Sequence, residues 1–159
     1  VHGEVTLYFL INNAYLGGGS SAGVDLVVGS EKYEVKAIKL SKAGYISDFK
    51  LGGTFSLAEI MTDLAKLNDE MNLRGTKSEI PATVIEQMRR DNPKEFNKIE
   101  TKFQNLVYDN YFKNHDVIFI NNGTPKPRFG LIERAKKVRK NEVSIERVTS
   151  GTIKPRVLA

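Results

Sequence analysis

Three residues stand out for what their types and spacing could do: Asp25, Glu34 and Lys36, spelling D-x8-E-x-K. They lie in GVDLVVGSEKYEVKAIKL, residues 23–40, where Asp25 heads one apolar run and Glu34-Val35-Lys36 sits in a second. The polar turn Gly29-Ser30-Glu31-Lys32 separates the runs. Valine, isoleucine and tyrosine suit strands, and a short turn between them predicts a hairpin. Side chains alternate along a strand, so Glu34 and Lys36 share one face while Tyr33, Val35 and Ala37 share the other. Asp25 then lies across from Glu34, and one metal ion could bridge the two carboxylates. Asp25, Glu34 and the backbone carbonyl of Val35, completed by water, form a donor set for a hard cation. Mg²⁺ needs only one or two carboxylates because it keeps several waters; Mn²⁺ is the expected substitute. A cation at a scissile phosphate neutralises developing charge and lowers the pKa of a bound water. Lys36 would orient that water or stabilise the transition-state charge.

The rest of the chain must position this cluster. Residues 3–16, GEVTLYFLINNAYL, read as a helix with a broad apolar face, and Glu4 in its first turn suits the helix dipole or supplies an extra acid near the metal. The run Gly17–Gly23 reads as a tight turn into the first strand; it lacks the Gly-Lys-Ser/Thr of a phosphate loop. Residues 44–51 predict a third strand, and Ser56-Leu57-Ala58-Glu59 a capping box opening a helix over 57–73. Pro81 opens a helix to about Arg90, and Asn92-Pro93 begins a longer one to about Lys113, with Phe96, Ile99, Phe103, Leu106, Val107 and Tyr111 as its apolar stripe. Val117–Ile120 reads as a buried strand; 128–134, 143–149 and 152–158 read as further strands, with Pro155 placing the last at an edge. The expected architecture is α/β, a mixed central sheet flanked by helices, one before the hairpin and three after it. The N-terminal and C-terminal strands must share that sheet to make one core.

The pattern D…(D/E)-x-K on a hairpin, after a helix and a glycine-rich loop, resembles the PD-(D/E)xK nuclease superfamily. Asp25 matches the first acid, Glu34 the second and Lys36 the lysine; Val24 stands where the family commonly has proline, and Glu4 is the one upstream candidate for its helix acid. The resemblance covers roughly the first third of the chain. It implies a restriction-endonuclease-like fold, Mg²⁺ dependence and in-line hydrolysis of phosphodiester bonds. A D-x8-E-x-K spelling also occurs on solvent-facing strands, where Glu and Lys form a surface pair worth little.

The chain has 159 residues, of which 40% are hydrophobic and 27% charged, and one domain is expected. It begins at Val1 rather than Met, as a processed product or an excised piece of something longer would. With no cysteine and only His2 and His115, a thiolate or histidine-built zinc site is not expected, and a reducing, cytoplasmic setting is permitted. No apolar run reaches the length of a membrane span. The net charge is +5; residues 121–159 hold ten Lys and Arg against three Glu, a local +7, which leaves −2 for residues 1–120. A basic end suits a polyanion. Lys39, Lys42 and Lys50 downstream of the acids, and Lys136, Lys137, Arg139 and Lys140 in the basic run, are the candidate nucleic-acid contacts. The expected function is a metal-dependent DNA endonuclease, with a homodimer favoured for cutting two strands. A catalytically inactive nucleic-acid-binding or assembly module on the same fold is the alternative, and a protein-interaction domain the third.

Overall fold

β-Branched residues on both sides of Gly29-Ser30 extend the chain into β2 (Val24–Val28) and β3 (Glu31–Leu40). The loop between them is two residues long, shorter than the four-residue turn expected. Gly29 takes φ 61, at the first central position, where a two-residue hairpin favours glycine. The computed structural model describes residues 14–19, 24–47, 49–51, 55–121, 131–134 and 137–159.

Ahead of the hairpin runs β1 (Ala14–Gly19), antiparallel to β2 with Leu16 opposite Leu26 and a bulge between Leu16 and Gly19. The helix expected over 3–16 therefore fails at Ala14–Leu16, which are strand; residues 3–13, including Glu4, lie outside the described residues. Gly17–Gly19, read as part of a turn, belong to β1. Pairing with β2 overrides the local glycine preference, and the bulge absorbs the irregularity. The third strand, β4 (Tyr45–Ser47), is shorter than the 44–51 expected.

Three helices follow: α1 (Ala58–Glu70), α2 (Ala82–Asp91) and α3 (Pro93–Val107). α3 opens as expected, with Pro93 in its first turn and the Asn92 side chain accepting the Glu95 N–H at 3.5 Å. The capping box at α1 is incomplete. Ser56 Oγ accepts the Ala58 N–H at 3.2 Å, but the Glu59 carboxylate reaches across to Lys102 on α3, at 3.3 Å. α3 does not run as a regular helix to residue 113. It widens into a π-helical turn, Tyr108–Phe112, in which the Lys113 N–H donates to the Tyr108 carbonyl at 2.8 Å.

The chain returns in β5 (Asp116–Asn121), parallel to β3, with Glu34 beside Val117 and Lys36 beside Phe119. β6 (Leu131–Arg134) pairs antiparallel with β5. A 3₁₀ turn, Lys140–Glu142, leads into β7 (Val143–Thr149) and β8 (Thr152–Leu158). β8 joins β4 through Tyr45–Leu158 and Ile46–Val157, so the two ends of the chain share one sheet. β8 is thus not an edge strand: it pairs with β7 as well. Its Pro155 lies opposite Ile145, where β7 bulges, a site that tolerates the missing N–H. The mixed α/β architecture stands as expected.

β3 is the hub, paired to β2 through 31–33, to β5 through 33–38 and to β4 through 39–40. Its two faces bury different clusters. Leu26, Val35, Ile118 and Ile120 pack on one face. Ile38, Val117 and Phe119 face the other, where the main core gathers Leu64, Phe96 and Phe103 from the helices. β5 contributes to both, which is why its sequence is continuously apolar.

Candidate active site

The hairpin register, Leu26 opposite Tyr33 and Val28 opposite Glu31, continues by one step to set Asp25 against Glu34. Both project from the helix-side face. Asp25 Oδ2 accepts the Val35 N–H at 2.9 Å, taking a bond that a further β2 residue would otherwise make. In antiparallel pairing a residue's N–H and C=O face the same neighbour. The Val35 carbonyl therefore points to the β2 edge, the side from which Asp25 approaches.

Lys36 Nζ lies 2.9 Å from Glu34 Oε1, and the two side chains are only 21% and 15% exposed. This is no loose surface pair: most water has been removed from both charges, so each depends on the other. The exposed surface pair that the D-x8-E-x-K spelling also allows is here a largely buried one.

Beneath the pair sits Tyr111, from the π-helical turn. Its ring centroid is 5.9 Å from Lys36 Nζ, and the residue is 3% exposed. Its hydroxyl is buried with no hydrogen-bond partner among the described residues. Burial, with the negative charges of Glu34 and then Asp25, pushes the phenol pKa up from its ordinary value. A phenol is protonated at neutral pH in any case, so Tyr111 is a donor there. His115 closes the turn: its Nδ1–H donates to the Tyr111 carbonyl at 2.8 Å, and the two rings lie 5.0 Å apart. A carbonyl only accepts, so Nδ1 carries the proton and a neutral ring keeps Nε2 as an acceptor.

Strand alternation and the hairpin register set Asp25, Glu34 and Lys36 on one face, while the helical spacing marks Tyr111 only as stripe packing. The stripe does pack, yet the π-helical turn also sets the Tyr111 ring 5.9 Å from Lys36 Nζ, the ammonium paired with Glu34. Such turns recur at functional sites, and nothing in the helical periodicity signals one here.

The candidate nucleic-acid contacts separate. Lys140 Nζ lies 5.3 Å from the Tyr108 ring and 4.0 Å from Asp109 Oδ1, against the same turn that carries Tyr111. Arg139 is exposed and reaches Glu142 at 3.2 Å. Lys137 is exposed beside them. Lys39 and Lys42 are exposed at the far end of β3 and in the turn after it. Lys39 leaves β3 from the face opposite Lys36, by strand alternation. Lys50 lines a cavity of about 590 Å³ between α1 and the β7–β8 hairpin, whose walls include neither acid. Lys136 lies outside the described residues.

Two carboxylates and a strand carbonyl are donor types that suit a hard divalent cation, and the Tyr111 hydroxyl, buried without a partner among the described residues, is a further polar group beside Lys36. Among the described residues no third acid or histidine joins Asp25 and Glu34 in a ligating cluster. No described helix is long and apolar enough to cross a membrane. No family model matches the chain, and no curated protein or solved structure matches it.

Proposed function

We propose that the chain is a metal-dependent DNA endonuclease of restriction-endonuclease-like fold, hydrolysing phosphodiester bonds at Asp25, Glu34 and Lys36. One observation supports the reading above the others. The hairpin gathers two carboxylates and one ammonium on a single face, with Asp25 bonded to the Val35 N–H and Glu34 to Lys36. Asp25, Glu34 and the Val35 carbonyl would hold Mg²⁺ or Mn²⁺, which supplies charge neutralisation and an acidified water when bound. Asp25 is oriented by the backbone of β3, so its carboxylate needs no reorganisation. With a cation bound, Lys36 would be free of Glu34 and available to the attacking water or the phosphate oxygens. Lys137, Arg139 and Lys140, beside the π-helical turn, supply phosphate contacts for the DNA backbone. Cutting both strands of a duplex calls for a homodimer or for successive nicks.

The second reading is a nucleic-acid-binding module without catalysis. The Glu34–Lys36 ion pair favours it, since each charge is satisfied with no cation. Incubation with supercoiled plasmid and single-stranded DNA, with and without Mg²⁺ or Mn²⁺, separates the two. Cation-dependent nicking that disappears in Glu34→Gln supports the nuclease. Salt-sensitive binding with no cleavage under any cation supports the module and ends the nuclease proposal.

A further inference from the structure

Tyr111 poses a question the three motif residues leave open. A hydroxyl taken out of water without a partner costs stability, and phenylalanine would fill the same volume without that cost. Buried polar atoms in native proteins are nearly always bonded, so an orphan calls for an explanation. Its neighbours supply one. The ring lies below the Lys36 ammonium, at 5.9 Å, and that ammonium holds Glu34 at 2.9 Å. Burial first, and then the charges of Glu34 and Asp25, push the phenol pKa up. A cation that takes the Glu34 oxygen now held by Lys36 displaces that ammonium. A carboxylate has more lone pairs than one cation can use, and the oxygen turned away from the cation then needs a donor.

We propose that Tyr111 is a positioning residue for the acid pair: when a divalent cation replaces Lys36 at Glu34, the Tyr111 O–H donates to the free Glu34 oxygen and fixes the carboxylate's orientation. The proposal rests on the cation-binding reading of the same site. It gives the π-helical turn a purpose, that of presenting one hydroxyl from α3 to a residue on β3. Hydrogen bonds to ligating carboxylates are typically worth 10- to 100-fold in metal affinity.

Tyr111→Phe removes the oxygen and leaves the ring contacts with Lys36, Phe112 and His115. Three measurements test it. Without cation, the urea midpoint of the variant should equal or exceed that of the wild type, because an unbonded hydroxyl has been removed. Mn²⁺ titration by calorimetry should show about 10-fold weaker binding. Adding Mn²⁺ to the wild type should perturb the near-ultraviolet tyrosine absorption, as a phenol gains a bond, and this difference spectrum should vanish in the variant. Equal Mn²⁺ affinity in the two proteins overturns the phenol's role and leaves the cation site standing. A clear loss of cation-free stability also overturns it, since the hydroxyl would then have a structural partner. Wild-type protein that binds no more Mn²⁺ than Glu34→Gln removes the cation site and this proposal together.

Discussion

Lys36→Met separates what Lys36 does for the fold from what it does for a reaction, because the two effects carry opposite signs. Methionine keeps most of the aliphatic stem and removes the ammonium. Glu34 is only 15% exposed, so its carboxylate would be left largely desolvated and unpaired. Breaking a fully buried pair costs about 3–5 kcal/mol. The remaining exposure of both side chains and the freedom of Glu34 to turn toward water reduce this to about 1–3 kcal/mol, the range for losing a hydrogen bond to a charged group. The same ammonium competes with any cation for Glu34. Removing it should tighten Mn²⁺ binding by about tenfold, equivalent to about 1.4 kcal/mol. At 100-fold excess over its dissociation constant a bound cation returns about 2.7 kcal/mol of stability, enough to offset most of the loss. Urea denaturation with and without Mn²⁺, with calorimetric titration alongside, measures both terms. DNA cleavage should be lost throughout, since Lys36 is the residue proposed to orient the water. Mn²⁺ affinity that stays unchanged or weakens in Lys36→Met refutes the competition, and cleavage at the wild-type rate refutes the role given to Lys36.

Asp25 offers a similar separation of charge from shape. Asp25→Asn retains an oxygen for the Val35 N–H and should lose less than about 1 kcal/mol of stability, whereas Asp25→Ala leaves that N–H without its acceptor and should lose about 1–3 kcal/mol. Both should abolish Mn²⁺ binding in calorimetry; retention in Asp25→Asn would count against a carboxylate ligand. The Tyr111 phenol, raised above its ordinary 10.0 by burial and by the charges of Glu34 and Asp25, predicts an alkaline effect. The unfolded chain gives up this proton first, so the contribution to stability is intact below about pH 10 and is lost as pH rises beyond it, with a slope of up to about 1.4 kcal/mol per unit. Denaturation at stepped alkaline pH should show this slope in the wild type and a shallower one in Tyr111→Phe; identical slopes would contradict it.

Much of this protein could be read from local pattern. Apolar spacing and start signals located α1, α2 and α3, and Asn92-Pro93 marked where α3 begins. Strand alternation put Glu34 and Lys36 on one face, and the hairpin brought Asp25 opposite. These features depend on residues close in sequence, whose geometry is set by the backbone period. β1 escaped the reading because the apolar spacing of residues 3–16 also fits a helix; Ala14–Leu16 become extended by pairing with β2. The edge assignment of β8 missed its pairing with β4, more than a hundred residues away, since no periodicity encodes a partner.

The sequence by itself determined which groups could act together: two acids and a lysine, set on one side of a hairpin by the two-residue period. Tertiary structure alone decided their surroundings. It took Glu34 and Lys36 largely out of water, so that neither charge is easily removed without the other. It also widened the end of α3 and set the buried Tyr111 ring beside the Lys36 ammonium that pairs with Glu34. Desolvation and the approach of distant side chains arise from the packing of α3 and β5 against β3, and no stretch of eighteen residues around the motif contains that information.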